Sequence, residues 1–257
     1  MKKEWSIFLT AVMFYTRIPC PKWVDHSSEM LNKATRYFPL IGWIVGGFAG
    51  LVFYGSAQIL PFSISIILSM ISSILITGAF HEDGFADVCD GFGGGWTKEK
   101  ILKIMKDSAI GAYGALGMLL IILFKFLLLW ELSNHLQATT LVFIIITGHS
   151  ISRLNSVFMI FSDEYARENE DSKAKPVARQ MKKGSFLAAI AMGIAPLIYF
   201  QNLYLLTGIP VLILVKLYLS GYFKKWIGGY TGDCLGALQQ ISEVTFYLLV
   251  LSLWNYI

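Results

Sequence analysis

The sequence predicts an all-α, polytopic integral membrane helical bundle of about seven transmembrane helices, preceded by an N-terminal interfacial helix. Hydrophobic residues make up 55% of the 257-residue chain and charged residues only 15%, whereas soluble domains carry roughly 25% charged residues. Apolar runs recur along the whole length, and several approach the ~20 residues that a spanning helix needs. These runs are too long for the strands of a membrane barrel. We therefore expect one integral membrane domain over residues 1–257.

The elements follow in chain order. Residues 1–21 have the basic start of a signal peptide, but Glu4 interrupts it and no small-residue cleavage site follows. We interpret this segment as a retained amphipathic or interfacial helix. Seven apolar segments then predict the spans, near Pro39–Gln58, Pro61–Phe80, Ala112–Trp130, Ala138–Ile160, Ser185–Tyr204, Gly208–Phe223 and Ala237–Ile257.

Basic residues are distributed unevenly between the two predicted sides. Of the 21 Lys and Arg residues, 18 precede residue 39 or lie between 80 and 112, 161 and 184, or 224 and 236. The positive-inside rule places these segments in the cytoplasm of a multi-pass cell-membrane protein. Basic loops beside anionic lipid would account for the net charge of +4, and phosphate-bearing substrates are the alternative explanation. No basic run with interleaved aromatic residues indicates a nucleic-acid surface.

The stretch FHEDGFADVCDGFGGGW, from Phe80 to Trp96, concentrates acidic residues at the predicted cytoplasmic end of a span. On a helix, Asp83, Asp87 and Asp90 lie within a stripe about 60° wide, because successive residues are offset by roughly 100°. Their mutual repulsion predicts a bound cation. Oxygen-only ligands favour Mg²⁺, which leaves coordination positions for water and substrate phosphates.

Glycines and a short helix follow this stripe. Gly91, Gly93 and Gly94 would let backbone amides approach a phosphate, although the spacing is not that of a P-loop. Thr97 predicts the N-cap of an amphipathic helix that runs to Asp107. That helix would return Asp107 to the site as a further metal ligand or an orienting group.

The stretch GGYTGDCLGALQQISE near the C-terminus resembles the first motif in placing acidic residues among glycines. Thr231, Asp233 and Glu243 fall on the same predicted side as the acidic stripe. A turn and helix start would explain the pattern in isolation, but the placement predicts a shared site in which Thr231 and Asp233 bind substrate or a second ion.

Several other polar residues allow two interpretations. His81 is either a general base or ligand, or a hydrogen-bonding residue at the interface. Arg153 lies one helical turn from His149 and would either contact substrate phosphate or pack within its helix. Lys125 and Lys216 are expected to snorkel or face the bundle interior rather than to act in catalysis.

At these residues the sequence resembles the cobalamin synthases, or adenosylcobinamide-GDP ribazoletransferases. The resemblance rests on FHEDGFADVCDGFGGG, which follows the family's H-x-D-G-x-A-D-x-x-D-G pattern, with support from MKDSAIGAYG, TGDCLGA, FYTRIPCP and RYFPLIGWIVG. The order and spacing cover nearly the whole chain. The loop from Phe161 to Gly184 matches no part of the pattern, and Glu82 falls at a variable position of it.

The resemblance implies a Mg²⁺-dependent transfer at phosphorus. The family joins adenosylcobinamide-GDP to α-ribazole or its 5′-phosphate, giving adenosylcobalamin or its phosphate and GMP. It implies catalytic roles for His81, Asp83, Asp87 and Asp90, with metal binding by these three aspartates and Asp107. Substrate binding is expected from Gly91, Gly93, Gly94, Arg153, Thr231 and Asp233. A homo-oligomer or an association with other cobalamin-assembly enzymes is a further expectation.

Two other classes stay open on the residues alone. A CDP-alcohol phosphotransferase shares the D-x-x-D-G fragment, but its pattern continues with an Ala-Arg pair where this chain has FGGGW. A cation channel or transporter would use the acids for selectivity. It predicts acids near the membrane centre and an internal repeat, neither of which the sequence indicates.

Overall fold

The protein is described by a computed structural model over residues 2–166 and 181–256, and in these ranges it is helical with no β-strand. The central part of the predicted 161–184 loop lies outside the described residues. The helices are α1 Lys2–Tyr15, α2 Ser28–Ala34, α3 Phe38–Ser56, α4 Phe62–Thr77, α5 Phe80–Gly94, α6 Lys98–Ile104, α7 Ala112–His135, α8 Ala138–Ser162, α9 Lys183–Ile194, α10 Gly208–Ile227 and α11 Gly232–Leu253.

Membrane-spanning length and apolarity confirm the predicted class. Six helical segments of the described chain are long and apolar enough to cross a bilayer, and a seventh counts if the bent pair of α4 and α5 is one span. The chain is therefore a multi-pass membrane protein. The predicted fifth span is α9 followed by a short 3₁₀ segment, Ala195–Phe200, and the last span begins at Gly232, five residues before the predicted start.

The second predicted span differs most from its expectation. At about 1.5 Å per residue, the 16 residues of α4 extend only about 24 Å, which is less than the ~30 Å hydrocarbon core. The chain then bends by 88° into α5. Gly78 and Ala79 make this bend because both have left-handed backbone angles, with φ of 66° and 57°. Ala79 is one of two non-glycine residues with positive φ in the described chain, so the bend is a strained, specified feature.

The bend directs α5 into the bundle, where it packs between α11 and α7. The central helix is α8, which packs on α3, α11, α9 and α10 and buries every residue from Thr147 to Val157. Helix α1 docks on α2 and α3 through buried Ile7, Ala11 and Tyr15. The acidic motif is thus presented by a helix held on two sides rather than by a loop.

Candidate active site

The acidic stripe exists as predicted, since Asp83, Asp87 and Asp90 all lie on α5. The solvent exposure of the three aspartates decreases along the stripe. Asp83 is exposed, Asp87 is half-buried and Asp90 is buried. The three carboxylates share a helical face but not a common level of contact with solvent, so they are suited to different tasks.

Asp90 anchors the start of α7. One carboxylate oxygen accepts a hydrogen bond from the Gly111 amide at 2.7 Å, and the other accepts from the Gly114 amide at 2.8 Å. Negative charge at a helix N-terminus is stabilised by the unpaired amides and by the helix dipole. A Cβ on Gly114 would lie 3.0 Å from the Ala86 carbonyl oxygen and overlap the Asp90 carboxylate. The GAYG motif is therefore the partner of Asp90.

The second acidic motif meets the first directly. Thr231 caps α11 by accepting a hydrogen bond from the Cys234 amide at 3.3 Å, and Asp233 occupies the first turn. A Cβ on Gly84 would lie 3.0 Å from the Asp233 Cα atom, and one on Gly236 would lie 3.0 Å from the carbonyl oxygen of His81. The glycines let α5 and α11 touch. The predicted juxtaposition of the two motifs is confirmed.

Glu243 does not belong to this shared surface. It lies ten residues beyond Asp233 on α11, which corresponds to about 15 Å along the helix axis, and its side chain is 1% exposed. The prediction that grouped Glu243 with Thr231 and Asp233 is wrong, because the helix begins earlier than expected and carries residue 243 into the bundle.

The glycines after Asp90 pack against protein. Gly91, Gly93 and Gly94 lie within the last turns of α5, where amides donate to carbonyls four residues earlier. A Cβ on Gly91 would overlap Met105, and one on Gly93 would meet the Tyr113 ring. Their amides therefore bond within the helix, whereas the sequence predicted amides that are free to approach a phosphate. A contact of these glycines with substrate stays a prediction.

His81 is not brought to the acidic stripe. It lies about 200° around α5 from Asp83, is 2% exposed, and packs its ring against Phe38 and Phe80 with centroid distances of 5.5 and 5.2 Å. Its Nε2 atom has no hydrogen-bond partner among the residues that the structure describes. A general base for the stripe would need to face the other way.

The predicted four-aspartate metal set does not form one cluster. Among residues 2–166 and 181–256, no three His, Cys, Asp or Glu side chains converge as a metal site. Asp90 is directed to α7, and exposed Asp107 lies beyond the end of α6, where it accepts a hydrogen bond from the Ala109 amide at 3.1 Å. Thr97 does cap α6, as predicted, through the Lys100 amide at 3.3 Å.

A buried polar network lies beneath the stripe, and sequence reasoning missed its connectivity. Lys125 on α7 pairs with Glu243 on α11 at 3.2 Å and donates to Gln240 at 3.0 Å. The Gln240 amide donates in turn to Glu82 on α5 at 2.9 Å. All four side chains are buried. We call Glu82, Lys125, Gln240 and Glu243, together with His149 and Arg153, the buried network.

Arg153 and His149 complete the network from α8. Arg153 Nη1 donates to the His149 carbonyl oxygen at 2.8 Å, and His149 Nδ1 lies 3.5 Å from Glu243. Arg153 is 1% exposed and its guanidinium lies 5.7 Å from the Phe38 ring centroid. The intrahelical interpretation of Arg153 is confirmed, while a contact with substrate stays a prediction. Lys216 also faces protein, donating to Asp163 at 2.7 Å.

A signal for the network was present in the sequence. Ionisable residues inside predicted spans are rare and are usually paired or functional. Lys125, Arg153 and Glu243 are three such residues. Their partners lie on different helices, so their pairing depends on the three-dimensional packing.

Comparison with known proteins identifies the family of this chain. Residues 7–251 match the model of the cobalamin-5-phosphate synthase family. The chain is 46% identical over 250 residues to an adenosylcobinamide-GDP ribazoletransferase of Shewanella frigidimarina, covering 97% of this chain and 95% of that protein. It is 44% identical to one of Shewanella baltica, covering 98% and 96%. No solved structure matches the chain.

Proposed function

Because this chain belongs to the cobalamin-5-phosphate synthase family, we propose that it joins adenosylcobinamide-GDP to α-ribazole or α-ribazole 5′-phosphate. The products are adenosylcobalamin or its 5′-phosphate and GMP. The near full-length similarity to the two ribazoletransferases supports the substrates. The observation in this molecule that carries the proposal is the contact of the two acidic motifs, which is so close that a Cβ added to Gly84 on α5 would lie 3.0 Å from the Asp233 Cα atom on α11.

The reaction is a displacement at phosphorus. A ribazole hydroxyl oxygen forms a bond to the phosphorus that bears the cobinamide, and the bond from that phosphorus to the GMP oxygen breaks. The hydroxyl loses its proton, and negative charge develops on the departing GMP. Catalysis of such transfers depends mainly on positioning and electrostatic stabilisation. We assign proton acceptance to the carboxylate of Asp83, since it is exposed on the stripe and His81 faces the bundle.

We propose Mg²⁺ as the cation of the site, held by the carboxylates of Asp87 and Asp233, which leaves Asp83 as the base. Mg²⁺ usually takes one or two protein carboxylates and completes its shell with water and substrate phosphates, so it does not require three converging acidic side chains, which the described residues lack. When bound, the ion would neutralise charge on the pyrophosphate. Asp90 then acts as a positioning residue, because it holds the first turn of α7 against α5.

The proposed location is the cell membrane with the acidic motifs facing the cytoplasm. The supporting observation is the distribution of basic residues, since 18 of the 21 Lys and Arg fall in segments on the same side as the motifs. Soluble nucleotide substrates and Mg²⁺ are available on that side.

One assay tests both the transfer and the metal. Purified full-length protein in lipid nanodiscs is given adenosylcobinamide-GDP and α-ribazole 5′-phosphate, and GMP release is followed with Mg²⁺ present, with chelator, and after Mg²⁺ is restored. We expect release that chelator abolishes and Mg²⁺ recovers. If no GMP is released under any condition, the proposed transfer is rejected. If GMP release is the same with and without chelator, only the proposed Mg²⁺ dependence is rejected.

A further inference from the structure

A pocket lies between the end of α8, helix α10 and the loop that joins α10 to α11. Its volume is about 200 Å³, and its lining includes Asp163, Phe223 and Tyr230. Pockets that hold whole drug-sized ligands measure roughly 300–1,000 Å³. This one therefore suits one part of a larger substrate.

The loop at the pocket lies very close to the backbone of the segment that follows α8. Gly228 and Gly229 have φ of 82° and 158°, and a Cβ on Gly229 would overlap the Glu164 carbonyl. The Tyr230 amide donates to the Glu164 carbonyl oxygen at 3.0 Å, and the Tyr230 carbonyl accepts from the Ala166 amide at 2.8 Å. These contacts fix Tyr230 against the segment that follows α8.

Two polar groups of the pocket have capacity for a ligand. Asp163 Oδ1 accepts from both Lys216 Nζ and Ser162 Oγ at 2.7 Å, and an ionised carboxylate offers about four acceptor positions. Burial alone would raise the pKa of Asp163, but the hydrogen bond from Lys216 lowers it, so the group is ionised. Tyr230 is 1% exposed, and its hydroxyl has no hydrogen-bond partner among the described residues.

We propose that this pocket binds the guanine base of the nucleotide donor, an inference that rests on the proposed function. The Watson–Crick edge of guanine presents two adjacent donors, N1–H and the 2-amino group, and Asp163 supplies the acceptor. Proteins read single bases by hydrogen bonds to this edge and by aromatic contact, and the lining contains the aromatic residues Phe223 and Tyr230. The Tyr230 hydroxyl gains its missing partner from the base.

The position of the pocket suits a nucleotide that ends at the acidic site. Tyr230 is three residues from Asp233, and consecutive Cα atoms are about 3.8 Å apart, so the two Cα atoms are separated by at most about 11 Å. Lys98 on α6 also reaches this loop, with its Nζ atom 3.5 Å from the Cβ position of Gly228. A base in the pocket thus leaves the phosphates near α11 and α6.

The charge of the lining disfavours a phosphate or a lipid headgroup as the occupant. The charged lining residues are Asp163, Glu164 and Lys224. Because Asp163 is paired with Lys216, only Glu164 and Lys224 remain, so the lining has no excess of positive charge. A neutral base with donors on its edge is the better match.

The test compares bases that differ on this edge. Binding of GMP, IMP and XMP to the full chain in nanodiscs is measured by calorimetry for wild type, Asp163→Asn, Tyr230→Phe and the control Glu131→Gln, which is exposed at the opposite end of α7. Wild type should bind GMP about 10-fold or more tightly than IMP, which lacks the 2-amino group. Asp163→Asn should remove that preference and favour XMP, whose 2-oxo group accepts from the Asn amide.

Tyr230→Phe keeps the ring and removes a hydroxyl without a described partner, so it should fold normally. We expect GMP affinity to fall by about threefold to 10-fold, with Glu131→Gln unchanged. An unaltered GMP to IMP ratio in folded Asp163→Asn, or unaltered GMP affinity in Tyr230→Phe, would overturn the pocket assignment. The GMP-release assay on wild type tests the proposed function separately. If wild type releases GMP but Asp163→Asn keeps the wild-type ratio of GMP to IMP affinity, only the pocket assignment is rejected.

Discussion

Two neighbouring residues of α5, Glu82 and Asp83, belong to regions with opposite properties. Asp83 stands exposed on the acidic stripe, while Glu82 is buried and joined to Gln240 at 2.9 Å. At Asp83 the stripe leaves carboxylate oxygens accessible to cations and substrate. The buried network instead satisfies most of its charges internally, across α5, α7, α8 and α11. One helix therefore both presents the exposed carboxylate and is held in place by a buried charged network.

The difference has an energetic consequence. Removing charges from water costs several kcal/mol per ion, and a buried pair offsets this only with good geometry and further hydrogen bonds. The buried network should therefore be sensitive to the loss of one partner and should affect folding. Substitutions in the stripe should change stability little and reduce turnover strongly. Variants of the two regions should therefore differ in whether they lose stability or turnover.

The largest effect is expected on the stripe. Asp87→Ala should reduce GMP release by at least about 100-fold, since loss of one group that stabilises transition-state charge typically costs 10²–10³ in rate. Its unfolding midpoint in detergent should match wild type because Asp87 is half-buried at the surface of α5. Exposed Glu131→Ala is the matched carboxylate control and should retain full activity. Near wild-type turnover in Asp87→Ala would remove the distinction between the two regions.

The buried network should show the opposite behaviour. Glu243→Ala leaves Lys125 buried without its partner at 3.2 Å, and breaking such a pair costs about 3–5 kcal/mol of unfolding free energy. The double variant Lys125→Met, Glu243→Met removes both charges and should recover much of that loss. Thermal unfolding of wild type, single and double variants measures this. A double variant as unstable as the single one would show that Lys125 is not the partner that matters.

The two regions also differed in what the sequence could predict. The stripe was predictable because Asp83, Asp87 and Asp90 are close in sequence and the helical repeat alone places them on one face. The network was not, because Lys125 and Glu243 are far apart in sequence and meet only through the packing of α7 on α11. The helical repeat also places His81 opposite Asp83, but which of the two faces points into the bundle is decided by the 88° bend before α5.

The contact between the two motifs can be tested without changing any charge. An added Cβ at Gly84 would lie 3.0 Å from the Cα and carbonyl oxygen of Asp233, so Gly84→Ala must push α5 away from α11. We expect a loss of about 1–3 kcal/mol in unfolding free energy and about 10-fold lower turnover from misplaced groups. Gly47→Ala is the control, since nothing lies within 4 Å of its Cβ position. It should be neutral or gain up to about 1 kcal/mol. Equal behaviour of the two variants would contradict the close contact.

The smallest effect concerns an exposed charge cluster that supports α1, where Glu4 accepts a hydrogen bond from the Tyr37 hydroxyl at 2.9 Å and pairs with Arg36. The hydrogen bond from Tyr37, followed by the charge of Arg36, lowers the pKa of Glu4 despite the opposing effect of burial. A lowered carboxylate pKa stabilises the fold above the unfolded value, about 4.3, and that contribution is lost as pH falls through the folded value. Glu4→Gln should therefore cost at most about 1 kcal/mol at pH 7, with a difference from wild type that disappears near pH 3. A difference that persists at acidic pH would show that the contacts of Glu4, rather than its charge, hold α1, and exposed pairs would then resemble the buried network more than the stripe.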